Sequence, residues 1–149
     1  MRRAVFHGPL GPITLTETAG LISALDWRAD PAEGSDLLDE AIAQLAAYFD
    51  GRLEQFDLPL AFGGGFQERV GRAMAAIPYG RTRSYGDLAR DLAAPAQAIG
   101  QACGANPIPI LIPCHRVVAA KGLGGFSAKG GVETKVALLR LEGAASLLL

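Results

Sequence analysis

The residue pattern predicts an α+β protein: a small N-terminal lobe of β-hairpin or sheet plus one helix, then a mainly helical lobe with a helix-turn-helix. Three observations point there. Apolar and polar residues alternate in Ile13-Thr14-Leu15-Thr16-Glu17, turn at Ala19-Gly20, and continue as Leu21-Ile22-Ser23-Ala24-Leu25-Asp26-Trp27, which is a hairpin signal. Apolar positions 37, 38, 41, 42, 45, 46 and 49 repeat at helical spacing. Residues 51–65, with Pro59 and Gly63-Gly64-Gly65, interrupt both patterns and read as a linker.

Boundary residues say where each helix starts or stops. Ser35 is a good N-cap, Asp36, Asp39 and Glu40 follow where the helix dipole favours negative charge, and Gly51 supplies the stop. Past the linker, residues 66–77 read as a helix halted by Pro78-Tyr79-Gly80, and Ser84 caps a second helix running to Leu92. A third short helix, rich in small residues, runs from about residue 95 to 103. Its tight connection to the second suits a helix-turn-helix whose second member comes close to a nucleic-acid backbone. Asn106-Pro107-Ile108-Pro109 is rigid and extended, because each proline fixes its own φ and turns its predecessor away from helix. It delivers residues 110–118 in a defined direction. Residues 122–131 form a glycine-rich loop before an amphipathic helix over 132–141 that ends at Gly143. The expected lobes are therefore 1–62 and 63–149.

Net charge is −1, but the average hides an asymmetry: residues 1–65 hold 4 Lys/Arg against 10 Asp/Glu, and residues 66–149 hold 10 against 5. The second lobe is where a polyanion would sit. The longest apolar stretch, residues 108–118, is broken by Pro109, Pro113, His115 and Arg116 and is too short to cross a bilayer. Arg2-Arg3 are followed by Gly8, Pro9, Gly11 and Pro12 in place of an apolar signal core, so a cytoplasmic monomer is expected. Cys103 and Cys114 are neither a redox pair nor half a zinc finger, and His7 and His115 complete the supply of such ligands. Two free thiols, and no metal or organic cofactor, are expected.

The chemistry centres on Pro113-Cys114-His115-Arg116, flanked by apolar Ile110-Leu111-Ile112 and Val117-Val118. A free thiol titrates at about 8.5, so a reactive one needs a base or nearby positive charge. His115 can be that base if the chain turns tightly here or a water bridges the two, since neighbouring side chains in a strand point to opposite faces. Glu142, at the end of the last helix, is the candidate to orient the imidazole. The bland reading stands beside this one: a buried cysteine is commonly an inert apolar filler, and a lone histidine or helix-end glutamate is commonly structural.

The run from Asn106 to Val118, with Ile77-Pro78-Tyr79-Gly80, Ser84-Tyr85-Gly86-Asp87-Leu88-Ala89, Gly125-Phe126-Ser127 and residues 138–143, resembles the signature of the O6-alkylguanine-DNA alkyltransferases, also called methylated-DNA-protein-cysteine methyltransferases. The resemblance covers about the last 85 residues well and the N-terminal lobe more loosely. It implies a DNA-repair protein acting on double-stranded DNA. The damaged nucleotide is rotated out of the stack, and the thiolate of Cys114 takes the alkyl group from O6 of guanine irreversibly, once per molecule. It further implies that Glu142, His115 and a water relay the proton from Cys114, and that Asn106 holds the turn. Tyr85 presses on a backbone phosphate and helps protonate the leaving base, with Lys135 nearby. Val117, Phe126 and Ser127 form the base pocket, and Ser84, Tyr85, Gln97 and Arg116 meet DNA.

Three departures from the resembled pattern stand out. Gln97 occupies the place of an arginine that enters the stack, on a connection from Tyr85 about two residues shorter than usual. Gly71 stands where tryptophan is common, and Ala128-Lys129 add to the loop at the pocket rim. Two rivals remain: a non-enzymatic sensor of alkylated DNA, which the presence of Cys114 disfavours, and a Cys-His-Glu hydrolase or thiol transferase acting repeatedly on a small molecule.

Overall fold

The computed structural model describes residues 1–125 and 130–144. The chain divides into two compact units, Met1–Ala61 and Phe62–Leu149. In the first, β1 (Arg2–Gly8), β2 (Gly11–Thr18) and β3 (Leu21–Asp26) form an antiparallel sheet in sequence order, and α1 (Asp36–Phe49) packs on β1 and β2. Ile13, Leu15, Ile22 and Leu25 are buried, as are Leu38, Ala41, Leu45 and Tyr48 of α1, so period-2 and period-3.6 patterns supply one core. Ser35 caps α1 by accepting from Leu38 N at 3.1 Å, and Gly51 follows its end at φ +76°.

Two features exceed the expected hairpin. β1 makes the sheet three-stranded; its run Arg2-Arg3-Ala4-Val5-Phe6-His7 lacks the apolar–polar alternation that identifies β2. Both sheet edges are covered: Arg3 pairs with Ala32 and Glu33, while Ile22 pairs with Pro59 and Ala61. The latter residues belong to the stretch read as linker. Thr14 and Thr16, polar by pattern, are buried, and Thr14 Oγ1 donates to Arg28 O and accepts from Asp30 N, so residues 28–30 lie over it.

In the second unit α2 (Gly65–Ala75), α3 (Tyr85–Leu92) and α4 (Ala96–Gly104) pack on one another. Ser84 caps α3 in a reciprocal capping box with Asp87. The three-residue turn to α4 begins with Ala93 in the left-handed region at φ +51°. Gly71 lies under Phe62: a Cβ there would stand 3.0 Å from that ring, on which Arg72 also stacks at 4.5 Å. Bulk absent from position 71 is thus supplied by position 62.

The active stretch over 110–118 is tightly turned. Ile110 has φ +73°, where a β-branched residue is an outlier, and the chain doubles back so that Ile112 N bonds Ile108 O at 2.9 Å. A 3₁₀ turn, Cys114–Arg116, leads into β5 (Val117–Val118), which pairs in parallel with β4 (Arg83–Ser84). That pairing brings the start of α3 beside the cysteine turn. The last helix, α5 (Val132–Leu141), packs against the same turn and ends at Gly143, φ +77°.

Candidate active site

Asn106 builds the platform. Its Nδ2 donates to Ile112 O at 2.8 Å and its Oδ1 accepts from Ile108 N at 3.1 Å, so one side chain braces both limbs of the strained turn at Ile110. Cys114 N bonds Ile112 O at 2.8 Å, and Cys114 is 8 % exposed. In a 3₁₀ turn successive side chains project about 120° apart, not on opposite faces as in a strand. The geometric obstacle raised by the strand reading is removed.

His115 is fully buried, and its Nε2 lies 2.7 Å from Glu142 Oε2. The carboxylate can only accept, so Nε2 carries the proton and Nδ1 is the acceptor nitrogen. Nδ1 is buried with no hydrogen-bond partner among the described residues. Burial lowers the His115 pKa below its ordinary value, with Arg116 and Lys135 acting the same way against the pull of Glu142. The imidazole is therefore a neutral base.

Burial likewise raises the Cys114 thiol above its ordinary value; Asn106 and the Lys135 ammonium oppose this. Cys114 rests as a thiol that needs a proton acceptor to react. Lys135 is fully buried; its Nζ donates to Val117 O at 2.7 Å and Gly125 O at 3.1 Å and stands 5.9 Å over the Tyr85 ring. Burial brings its pKa down to about 8. Tyr85, the first residue of α3, is raised by burial, and a Cβ on Gly124 would stand 3.1 Å from its ring. The glycine-rich loop can approach Tyr85 closely because that position lacks a side chain.

Cys114, His115, Glu142, Asn106, Lys135, Val117 and Tyr85 are thus neighbours. Ser84 spends its hydroxyl capping α3, and Gln97 is exposed in the first turn of α4. Phe126 and Ser127 lie outside the described residues. The expectation that Arg116 meets DNA is corrected. Its guanidinium is buried and engaged: Nε donates to Glu142 Oε1 at 2.8 Å, Nη2 to Glu142 Oε2 at 3.0 Å and Nη1 to Ile77 O at 2.6 Å. A charge so enclosed cannot meet a phosphate without dismantling the site.

Sequence reasoning missed what surrounds that guanidinium. Arg116 lies 5.9 Å over the Tyr79 ring, Tyr79 OH donates to Leu141 O at 3.1 Å, and a Cβ on Gly80 would stand 3.2 Å from Glu142 O. The Ile77-Pro78-Tyr79-Gly80 motif, quoted above without a role, holds the end of α5 in place. Three basic residues of the second unit are paired locally, Arg72 on Glu68, Arg83 on Asp91 and Arg90 on Asp87, which leaves the surplus on the others. Among the described residues Arg69, Arg81, Lys121 and Arg140 are exposed and pair with no carboxylate. No group of three or more His, Cys, Asp or Glu suited to a metal ion occurs among the described residues. No helix among them is long and apolar enough to cross a membrane.

Residues 1–62 match the family model for the ribonuclease-like domain of 6-O-methylguanine DNA methyltransferase, and residues 65–144 match the model for its DNA binding domain. A methylated-DNA–protein-cysteine methyltransferase of Mycolicibacterium paratuberculosis is 52 % identical over 146 residues, covering 90 % of this chain and 87 % of its own length. One from Methanosarcina acetivorans is 38 % identical over 156 residues, covering 96 % and 99 %. The crystal structure of Mycobacterium tuberculosis OGT in complex with DNA superposes with a TM-score of 0.84 at 40 % identity, covering 97 % of this chain and 94 % of that one.

Proposed function

The chain belongs to the 6-O-methylguanine DNA methyltransferase family, and from that premise we propose how its own residues carry out the repair. It transfers the alkyl group from O6 of guanine in double-stranded DNA directly to Cys114. The target base leaves the stack to reach a thiol this deeply set. Nδ1 of His115 takes the thiol proton through a water, and Glu142 stabilises the imidazolium that results. The thiolate sulfur then bonds the alkyl carbon as the carbon–O6 bond breaks and its electron pair stays on guanine. The Tyr85 hydroxyl supplies a proton to that base, while Lys135 holds Val117, Gly125 and the Tyr85 ring around it.

The product is a thioether with no acyl bond for water to cleave, so each molecule acts once. The N-terminal ends of α3 and α4, with Tyr85 and Gln97, form the DNA-facing surface, and Ser84 presents the start of α3 to the backbone. Val117 lines the base pocket. The protein works as a cytoplasmic monomer.

The observation that carries this reading is the buried His115–Glu142 pair at 2.7 Å, on the residue next in the chain to a barely exposed thiol. Titrating a fixed amount of protein with duplex containing O6-methylguanine tests it. Guanine restored should plateau at one equivalent per protein. Continued release with excess duplex would indicate a turnover enzyme, and binding without restoration would indicate a sensor.

A further inference from the structure

Two donor groups among the described residues, the Arg116 guanidinium and the His115 ring, converge on the two oxygens of Glu142. Oε1 takes Arg116 Nε at 2.8 Å; Oε2 takes both Arg116 Nη2 at 3.0 Å and His115 Nε2 at 2.7 Å. Arg116 and Glu142 are nearly closed to solvent and His115 is fully closed, so water does little to screen their charges. The cluster can therefore be counted as a unit. Arginine is permanently positive, Glu142 is its bidentate counter-ion, and a neutral imidazole completes a set with no net charge.

Remove the guanidinium and the same two groups carry a net −1 in a low-dielectric site. A buried cluster relieves that by taking up a proton, shared between Glu142 and His115 whichever of them is drawn as its holder. An imidazole that already holds this proton has no place for the one on Cys114. Deepening the alkyl-transfer reading, and resting on it, we propose that Arg116 is a positioning residue that keeps His115 an empty base by neutralising Glu142. Ile77 O and the Tyr79 ring hold the guanidinium in register for this task. Among the described residues, the ionisable groups around His115 are Cys114 and Arg116 from its own turn, Lys135 from α5 and Glu142 at the cap that ends α5. Tyr79 and Tyr85 lie against Arg116 and Lys135 respectively. Lys135 cannot substitute for Arg116, since its Nζ is committed to Val117 O and Gly125 O.

The test is the single-turnover rate of methyl transfer to Cys114 across about pH 5–9 for wild type, Arg116→Met and Arg116→Lys. The acid limb of Arg116→Met should move up by about 1–3 pH units, the size of shift an opposite charge at this range produces. Arg116→Lys keeps the charge but loses the fork, so its limb should stay near that of wild type with a lower plateau. An unmoved limb in Arg116→Met, in protein whose wild type transfers methyl, overturns the proposal. Should Arg116→Met not fold, the wild-type cluster decides: with His7→Gln, His115 is the one imidazole left. Its ¹⁵N shifts at pH 7 should report a neutral ring with the proton on Nε2; an imidazolium there overturns the proposal. Absence of methyl transfer by wild type would instead defeat the alkyltransferase reading, while the ¹⁵N shifts still decide the state of the cluster.

Discussion

Cys103 and Cys114 are both free and both buried, yet their surroundings prepare them for different fates. Cys103 sits on α4 with its Sγ 3.5 Å from Met74 Sδ, and burial pushes its thiol up to about 12. Cys114 is also raised by burial, and Lys135 pulls both thiols down, but Cys114 opens the 3₁₀ turn that carries His115. Burial alone makes a thiol inert. A base with an empty acceptor, fixed by a counter-charge, is what separates the two.

The largest expected effect removes the contrast outright. Cys114→Ser should abolish methyl transfer while Cys103→Ser retains it, since Cys103 feels Cys114 and Lys135 but has no base beside it in the chain. A single-turnover assay on both variants checks it, and transfer surviving in Cys114→Ser would break the comparison. Next is the base: His115→Gln or Glu142→Gln should slow transfer by about 10²–10⁴-fold, the usual worth of general-base assistance. Rapid-quench rates that fall less than ten-fold would mean the thiol ionises without them.

Lys135→Met should raise the Cys114 pKa further, since the ammonium is one of the groups holding it down. The pH profile of iodoacetamide labelling at Cys114 reads this directly, and an unshifted profile would remove Lys135 from the electrostatics of the site. A smaller effect is expected from Gln97→Arg, which adds a cation to the exposed first turn of α4 and should tighten binding to damaged duplex several-fold. Fluorescence anisotropy at fixed salt measures it; no gain would mean that Gln97 does not occupy the position of the stacking arginine.

The smallest is a pH effect on stability. His115 has a folded-state pKa below its unfolded value, so the unfolded chain binds more protons once pH drops under about 6.5. Its contribution is present above that value and is lost as pH falls toward the folded pKa. Urea midpoints should decline from pH 7 to 5, and His115→Gln should flatten part of that decline.

Legibility in the sequence follows the range of the interaction. Ser35 and Ser84 as caps, and Gly51 and Gly143 as stops, act within a few residues, and the helices they bound were readable for that reason. The two-residue parallel pairing of β4 with β5 and the edge pairing of Pro59 and Ala61 with Ile22 depend on partners far along the chain. Nothing local marks them. The Cys-His pair and the helix-end glutamate were readable as chemistry, and the resemblance joined them into a site. Arg116 was misread because a charge beside a motif says nothing about which way it faces. Its apolar flanks, Ile110-Leu111-Ile112 and Val117-Val118, held the missed signal: an arginine in such a stretch is buried, and a buried arginine needs a carboxylate.

The central claim is that of two buried thiols only Cys114 can lose its proton and accept the alkyl group. Peptide masses after one incubation with duplex containing O6-methylguanine test it most directly. One methyl increment on the peptide carrying Cys114, saturating at one per molecule with the Cys103 peptide unchanged, is the predicted result. Methyl on Cys103, or on neither while guanine is restored, would contradict it.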